Sequence, residues 1–98
     1  MPEFSTPFTG LNSDRKLNKD ELVRALRFSI AAEYEAIQIY NQIAQSIDNE
    51  LAKKVFIDVA NEEKEHAGEF LKVIRELEPE EFEFYRHGEE EVEEMKKE

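Results

Sequence analysis

From Lys19 to Leu77 the chain contains no proline and a single glycine, Gly68. Apolar residues recur through this stretch at the three- and four-residue steps of a helix, not at the two-residue steps of a strand. Asn18 is a good N-cap, and Asp20 and Glu21 follow it in the first turn, where the helix dipole favours acids. A first helix is predicted from 19 to about 46. Asp48 is the next candidate cap and opens a second helix to about Leu77, with Gly68 as an interior weak point of under about 1 kcal/mol. So short a connection forces the two helices to fold back as an antiparallel hairpin. That hairpin decides which side chains can meet.

The flanks read differently. "MPEFSTPFTGLNSDRK" carries two prolines, a glycine and several small polar residues, so residues 1–17 are expected to form an extended arm. The hairpin domain is placed at 18–78, and Pro79 ends or restarts the helix. Residues 79–98, "PEEFEFYRHGEEEVEEMKKE", are expected to form a short acidic helix with a frayed end. His87 there reads as a solvent-exposed loop histidine, and Phe82, Phe84 and Tyr85 as packing across a subunit contact.

Composition narrows the function classes. A net charge of −11 disfavours nucleic acid and anionic membrane surfaces as partners. No apolar run approaches the ~20 residues of a membrane span. The N-terminus lacks the pattern of a secretory signal, so a cytoplasmic location is expected. With no cysteine, a metal must be held by carboxylate and imidazole, which leaves Fe, Mn, Zn, Mg or Ca.

Along helix one, the path Leu26, Ile30, Glu33, Ile37, Tyr40, Ala44, Ile47 is apolar or aromatic except at Glu33. Along helix two, the path Val55/Phe56, Val59, Glu63, His66, Phe70, Val73, Leu77 is broken only within "NEEKEH", at Glu63 and His66. Glu62 also pairs with His66 at i, i+4, so helix phase alone leaves open which glutamate faces inward. Folding the hairpin about residues 47–48 puts Glu33 and Glu63 each about 15 residues from the turn, both ~22 Å up at ~1.5 Å per residue. Three ligand-type side chains thus meet at one level of an apolar seam. Unpartnered charges there would cost several kcal/mol each, so they need a cation or one another's protons.

Two helices cannot cover their own apolar stripes. The economical solution is a homodimer, two hairpins forming a four-helix bundle. Two-fold symmetry then gathers two copies each of Glu33, Glu63 and His66. That is the ligand set of ferritin-like di-iron bundles, one Glu from each of two helices and Glu-x-x-His from each of the others. Four carboxylates balance two divalent ions. The fold expected is therefore all-α, a hairpin plus short C-terminal helix dimerising into a ferritin-like four-helix bundle.

From "AAEYEAIQIYNQ" through "NEEKEHAGEFLKVIREL", roughly residues 20–78, the chain resembles the encapsulated ferritins, half-size ferritin-like cargo of encapsulin nanocompartments. The resemblance implies a ferroxidase oxidising Fe(II) with dioxygen at a di-iron site between subunits, two irons per dimer. It implies an annular decamer of five dimers inside an encapsulin shell. It makes Glu33, Glu63 and His66 the iron ligands and so favours Glu63 over Glu62. Tyr40 corresponds to a tyrosine close to the metal, and Glu35 to one acid of a site where metal enters. Ala32 and Ile39 depart from the family pattern, which has a second acid and a tryptophan there. No encapsulation peptide is evident after "EEEVEEMKKE", so the chain is expected to be cut from a longer one, fused to its shell, or targeted through "PEFSTPFTG".

Two other readings stay open. A rubrerythrin-like peroxide reductase uses a related bundle, although a chain without cysteine holds no rubredoxin centre. A non-catalytic oligomerisation module would use the same glutamates to share protons or hold a structural ion.

Overall fold

The computed structural model describes residues 15–98. It is all-helical over that range, in the order α1 (Lys19–Gln45), α2 (Glu50–Leu77) and α3 (Pro79–Met95). The arm expected at 1–17 lies, for residues 1–14, outside the described residues.

Local chemistry sets the ends of α1. Asn18 and Glu21 form a reciprocal capping box. The Glu21 N–H donates to the Asn18 side chain at 2.9 Å, and the Asn18 N–H donates to the Glu21 carboxylate at 3.0 Å. Arg15 adds a two-pronged contact to the same carboxylate, at 3.0 and 2.9 Å. At the other end the Ser46 hydroxyl donates to the Gln42 carbonyl, and its N–H to that of Ile43. The cap of α2 is Asn49, whose side chain accepts from the Ala52 N–H at 2.9 Å. The expected cap, Asp48, sits one residue outside. Both residue types cap well, and the fit of the turn decides between them.

α1 and α2 pack as an antiparallel pair. The buried residues are Val23, Leu26, Ile30 and Ala44 on α1, and Ala60, Ala67 and Ile74 on α2. Ala60, Ala67 and Ile74 lie seven apart, the repeat of a shallow left-handed crossing. The helix-two stripe read from sequence holds at Phe56, Val59, Phe70 and Leu77, all half-buried, and fails at Val73, 43% exposed; Val55, the alternative to Phe56, is 52% exposed. Large β-branched residues drew attention to one side of the helix, whereas small alanines mark where two backbones approach. Ile74, at 1% exposure, is the largest fully buried side chain among the described residues and contributes about 1.5–3 kcal/mol.

The aromatic cluster divides. Phe82 packs on this chain's own Leu26–Ile30–Ile74 cluster, while Phe84 and Tyr85 are exposed. α3 runs through Gly88 to Met95, further than the short helix expected. Pro79 occupies the first turn, where its missing N–H costs nothing. Ion pairs at i, i+3 and i, i+4 then support the exposed helix: Arg86 with Glu83 and Glu90, Lys96 with Glu93, Lys97 with Glu94. His87 is exposed as expected, but on this helix and not in a loop.

The capping box has a pH signature. Hydrogen bonds from Arg15 and the Asn18 N–H pull the Glu21 carboxyl from its ordinary 4.5 down to about 2. A lowered folded value means the contribution is full above the unfolded value and is lost as pH falls towards 2. Protection of the first-turn amides of α1, measured relative to the intrinsic exchange rate at each pH, should therefore fall over that acidic interval, and Glu21→Gln should remove the dependence. First-turn protection in Glu21→Gln that tracks wild type through the interval would contradict it.

Candidate metal centre

Glu33 stands midway along α1, on the face that also carries Leu26 and Ile30. Glu63 and His66 stand one turn apart midway along α2, flanked by the buried Ala60 and Ala67. The hairpin brings all three to one level. One ligand atom from each lies within 4.8 Å of the others. His66 Nδ1 is 3.5 Å from a Glu63 oxygen and 3.7 Å from Glu33 Oε2.

Glu63 is therefore the inward glutamate of the run, and Glu62, Lys64 and Glu65 are exposed. The three side chains differ in access. Those of Glu33 and Glu63 are 17% and 19% exposed, and that of His66 is 45% exposed. The cluster thus has carboxylate walls and an imidazole at its open side.

Glu33 Oε2 is buried and has no hydrogen-bond partner among the described residues. A buried carboxylate oxygen normally accepts two bonds, and leaving one unmade costs about 1–3 kcal/mol. Nearby His66 Nδ1 lies beyond hydrogen-bonding reach at 3.7 Å. The distance and the missing donor suit a cation between the groups. Two carboxylates and an imidazole are donors that Fe, Mn and Zn accept, with oxygen favouring the harder ions.

The other two sequence-derived residues stand apart from this cluster. Glu35 is half-buried, two positions on from Glu33 and so roughly 200° round the helix. It is not among the three clustered residues. Tyr40 is half-buried on the Glu33 side of α1, with its ring against Phe56 at 6.0 Å between centroids.

One polar group escaped the sequence reading. Arg27 on α1 pairs with Glu81 on α3, and Glu81 also accepts from the Tyr85 hydroxyl. Arg27 and Glu81 are 54 positions apart, and helical periodicity carries no signal across that separation.

The chain covers too little of its own apolar surface. Among the described residues Leu22, Tyr34, Ile39, Leu51, Val55, Ile57 and Val73 of the hairpin are all exposed. Together they are apolar surface that a second chain can cover.

Comparison with known proteins agrees with this fold. Residues 24–98 match the rubrerythrin family. Over 87 residues the chain is 41% identical to a ferritin-like–encapsulin shell fusion protein from Pyrococcus furiosus, covering 89% of this chain and 25% of that protein. Over 80 residues it is 41% identical to the encapsulin nanocompartment cargo protein EncC from Myxococcus xanthus, covering 82% of this chain and 60% of that one. The chain thus spans only a part of each relative. The crystal structure of the encapsulated ferritin domain from Pyrococcus furiosus superposes with a TM-score of 0.83, at 40% identity and over 94% of both chains.

The orphaned carboxylate predicts a trade-off that needs no assay of activity. In metal-free protein, Glu33→Leu should raise stability by about 1–2 kcal/mol, because an apolar side chain then replaces an unpaired buried acid. Urea unfolding in the presence of a chelator measures it. A clear loss of stability would mean that Glu33 is already satisfied without metal.

Proposed function

This chain belongs to the rubrerythrin family of ferritin-like proteins, among the encapsulated ferritins, and we propose that it is one half of a ferroxidase. In this reading Glu33, Glu63 and His66 of one chain face the same three residues of a second chain across a two-fold axis. The two half-sites together bind Fe(II) as substrate and release Fe(III) as product, with dioxygen as electron acceptor. The observation that carries the reading is Glu33 Oε2, buried beside Glu63 and His66 without a hydrogen-bond donor.

The roles of the residues follow from their chemistry. Four carboxylates in the paired site would carry four negative charges, enough to balance two divalent ions. The same charge favours the trivalent product over the divalent substrate, since oxygen donors prefer the harder ion. His66 presents Nδ1 towards both carboxylates, so its neutral form offers a lone pair there. Its partial exposure gives ions a way in and out, as turnover of a metal substrate requires. The apolar stripe around Glu33 limits water at the carboxylates and strengthens their pull on a cation. Glu35, outside the cluster, is assigned to an auxiliary site where metal enters. Tyr40, its ring tilted against Phe56, is assigned to a surrounding position and not to a direct ligand.

The exposed apolar residues of the hairpin support assembly, because a second hairpin would cover them. The names of the relatives, a shell fusion and a nanocompartment cargo, support work inside an encapsulin shell. In this reading the shell lies in the cytoplasm, and rings of dimers feed iron storage there. No helix among the described residues is long and apolar enough to cross a membrane. The family match favours one second reading, reduction of peroxide at the same site.

Glu33→Ala, Glu63→Ala and His66→Ala should each abolish rapid aerobic Fe(II) oxidation, followed by ferric absorbance. Wild-type rates in any one of them would remove that residue from the site. Running wild type with O₂ and with H₂O₂ separates the two activities. Faster oxidation by O₂ is the expected result, and oxidation by peroxide alone would favour the second reading.

A further inference from the structure

α3 leaves the hairpin at a single residue. Glu78 closes α2 and precedes Pro79 with φ −138° and ψ 72°, so its two dihedrals aim the whole third helix. Beyond Phe82 every residue of α3 is exposed in the single chain, and apolar packing within the chain does not hold that direction. The restraints lie in the first two turns. Phe82 sits against the Leu26–Ile30–Ile74 cluster, with the Arg75 guanidinium 4.9 Å from its ring centroid and Tyr85 edge-on at 4.9 Å. The polar tie to α1 is Glu81: one carboxylate oxygen accepts from Arg27 and the other from the Tyr85 hydroxyl. The Glu81 side chain is only 12% exposed, so the tie is shielded although Arg27 reaches it from the surface.

We propose that Arg27, Glu81 and Tyr85 form a latch that fixes the angle at which α3 leaves the hairpin, and that protonation of Glu81 opens it. A single-residue junction sets a wide range of angles, whereas a carboxylate held from two sides by donors on different helices selects one. The geometry is directional. Phe82 alone would permit α3 to pivot about its ring, and Glu81, one position away, converts that pivot into a fixed arm. The latch also sets the width of the open groove whose walls include Tyr34 and Leu71 on the hairpin and Phe84 and Val92 on α3.

Glu81 is the member whose charge changes on acidification. The charged and titratable groups around it are Arg27 and Tyr34 on α1, Arg75 on α2, Glu78 at the junction and Tyr85 on α3. The hydrogen bond from Arg27 holds the Glu81 carboxyl below its ordinary range against the opposing effect of burial, and Tyr85 assists. Arg27 is held charged by Glu81. Burial foremost, and then Glu81, push the Tyr85 hydroxyl up to about 12, so it remains a donor at neutral pH. Because the folded Glu81 value is lowered, the latch is closed above the ordinary carboxylate range and opens as pH falls through that lowered value.

The absence of cysteine makes the test direct. Lys72→Cys on α2 and Glu91→Cys on α3, both at exposed positions, carry spin labels, and dilution with unlabelled chain restricts the measurement to distances within one chain. At neutral pH the distance distribution should be narrow. Glu81→Gln and Arg27→Gln should each broaden it with helical circular dichroism unchanged, and the exchanged pair Arg27→Glu/Glu81→Arg should narrow it again. As pH is lowered, wild type should broaden likewise, at a pH below that at which an ordinary glutamate is half protonated. A narrow distribution persisting in Glu81→Gln would overturn the latch. Should that variant lose helicity, a narrow distribution in Arg27→Gln, altered at the exposed end of the pair, overturns it equally.

Discussion

A carboxylate has been placed where two helices close against each other, and one of its oxygens finds no hydrogen donor. Glu33 shares its face of α1 with Leu26 and Ile30, and the matching level of α2 offers Glu63 and His66 between two buried alanines. In a seam built for stability alone that position would be leucine. In the proposed function, an acid there, beside a second acid and an imidazole, destabilises the metal-free hairpin and prepares it for a cation. The small residues serve the same end. Ala60 and Ala67 let the backbones approach, which brings ligand atoms from two helices within 4.8 Å of one another.

The site and the assembly are parts of one problem. A hairpin that leaves Leu51, Val55, Ile57 and Ile39 exposed has not finished burying its apolar surface. Three ligands on one wall have likewise not enclosed an ion. In the proposed dimer a second copy meets both needs at once, because the symmetry that covers the apolar face also supplies the missing carboxylates and imidazole. Metal occupancy and subunit association are then thermodynamically linked, each strengthening the other.

Much of this was legible in the chain itself. The N-cap and periodicity of α1, the hairpin, and the arrival of Glu33 and the NEEKEH run at one level follow from spacing and a rise per residue. Choosing Glu63 over Glu62 needed either the family resemblance or the coordinates, since helix phase tolerates both. The seam of α2 departs from the sequence stripe at Val73 and at its alanines for a physical reason. Hydrophobicity weights Val55 and Val73 heavily, whereas close packing selects the alanines between them. The length of α3 was underestimated because Gly88 and a run of acids look like helix breakers, and the compensating Arg86 and lysine pairs are individually weak. The Arg27–Glu81 tie was out of reach altogether, because a contact between α1 and α3 exists only after the chain turns at Glu78.

The shared half-site is tested most directly by a crystal structure of the iron-loaded protein, with anomalous scattering recorded at the iron absorption edge. Two irons on a two-fold axis between chains are expected, with Glu33, Glu63 and His66 of both chains around them. An ion enclosed by one chain alone, or no iron at these residues after aerobic loading, would contradict it.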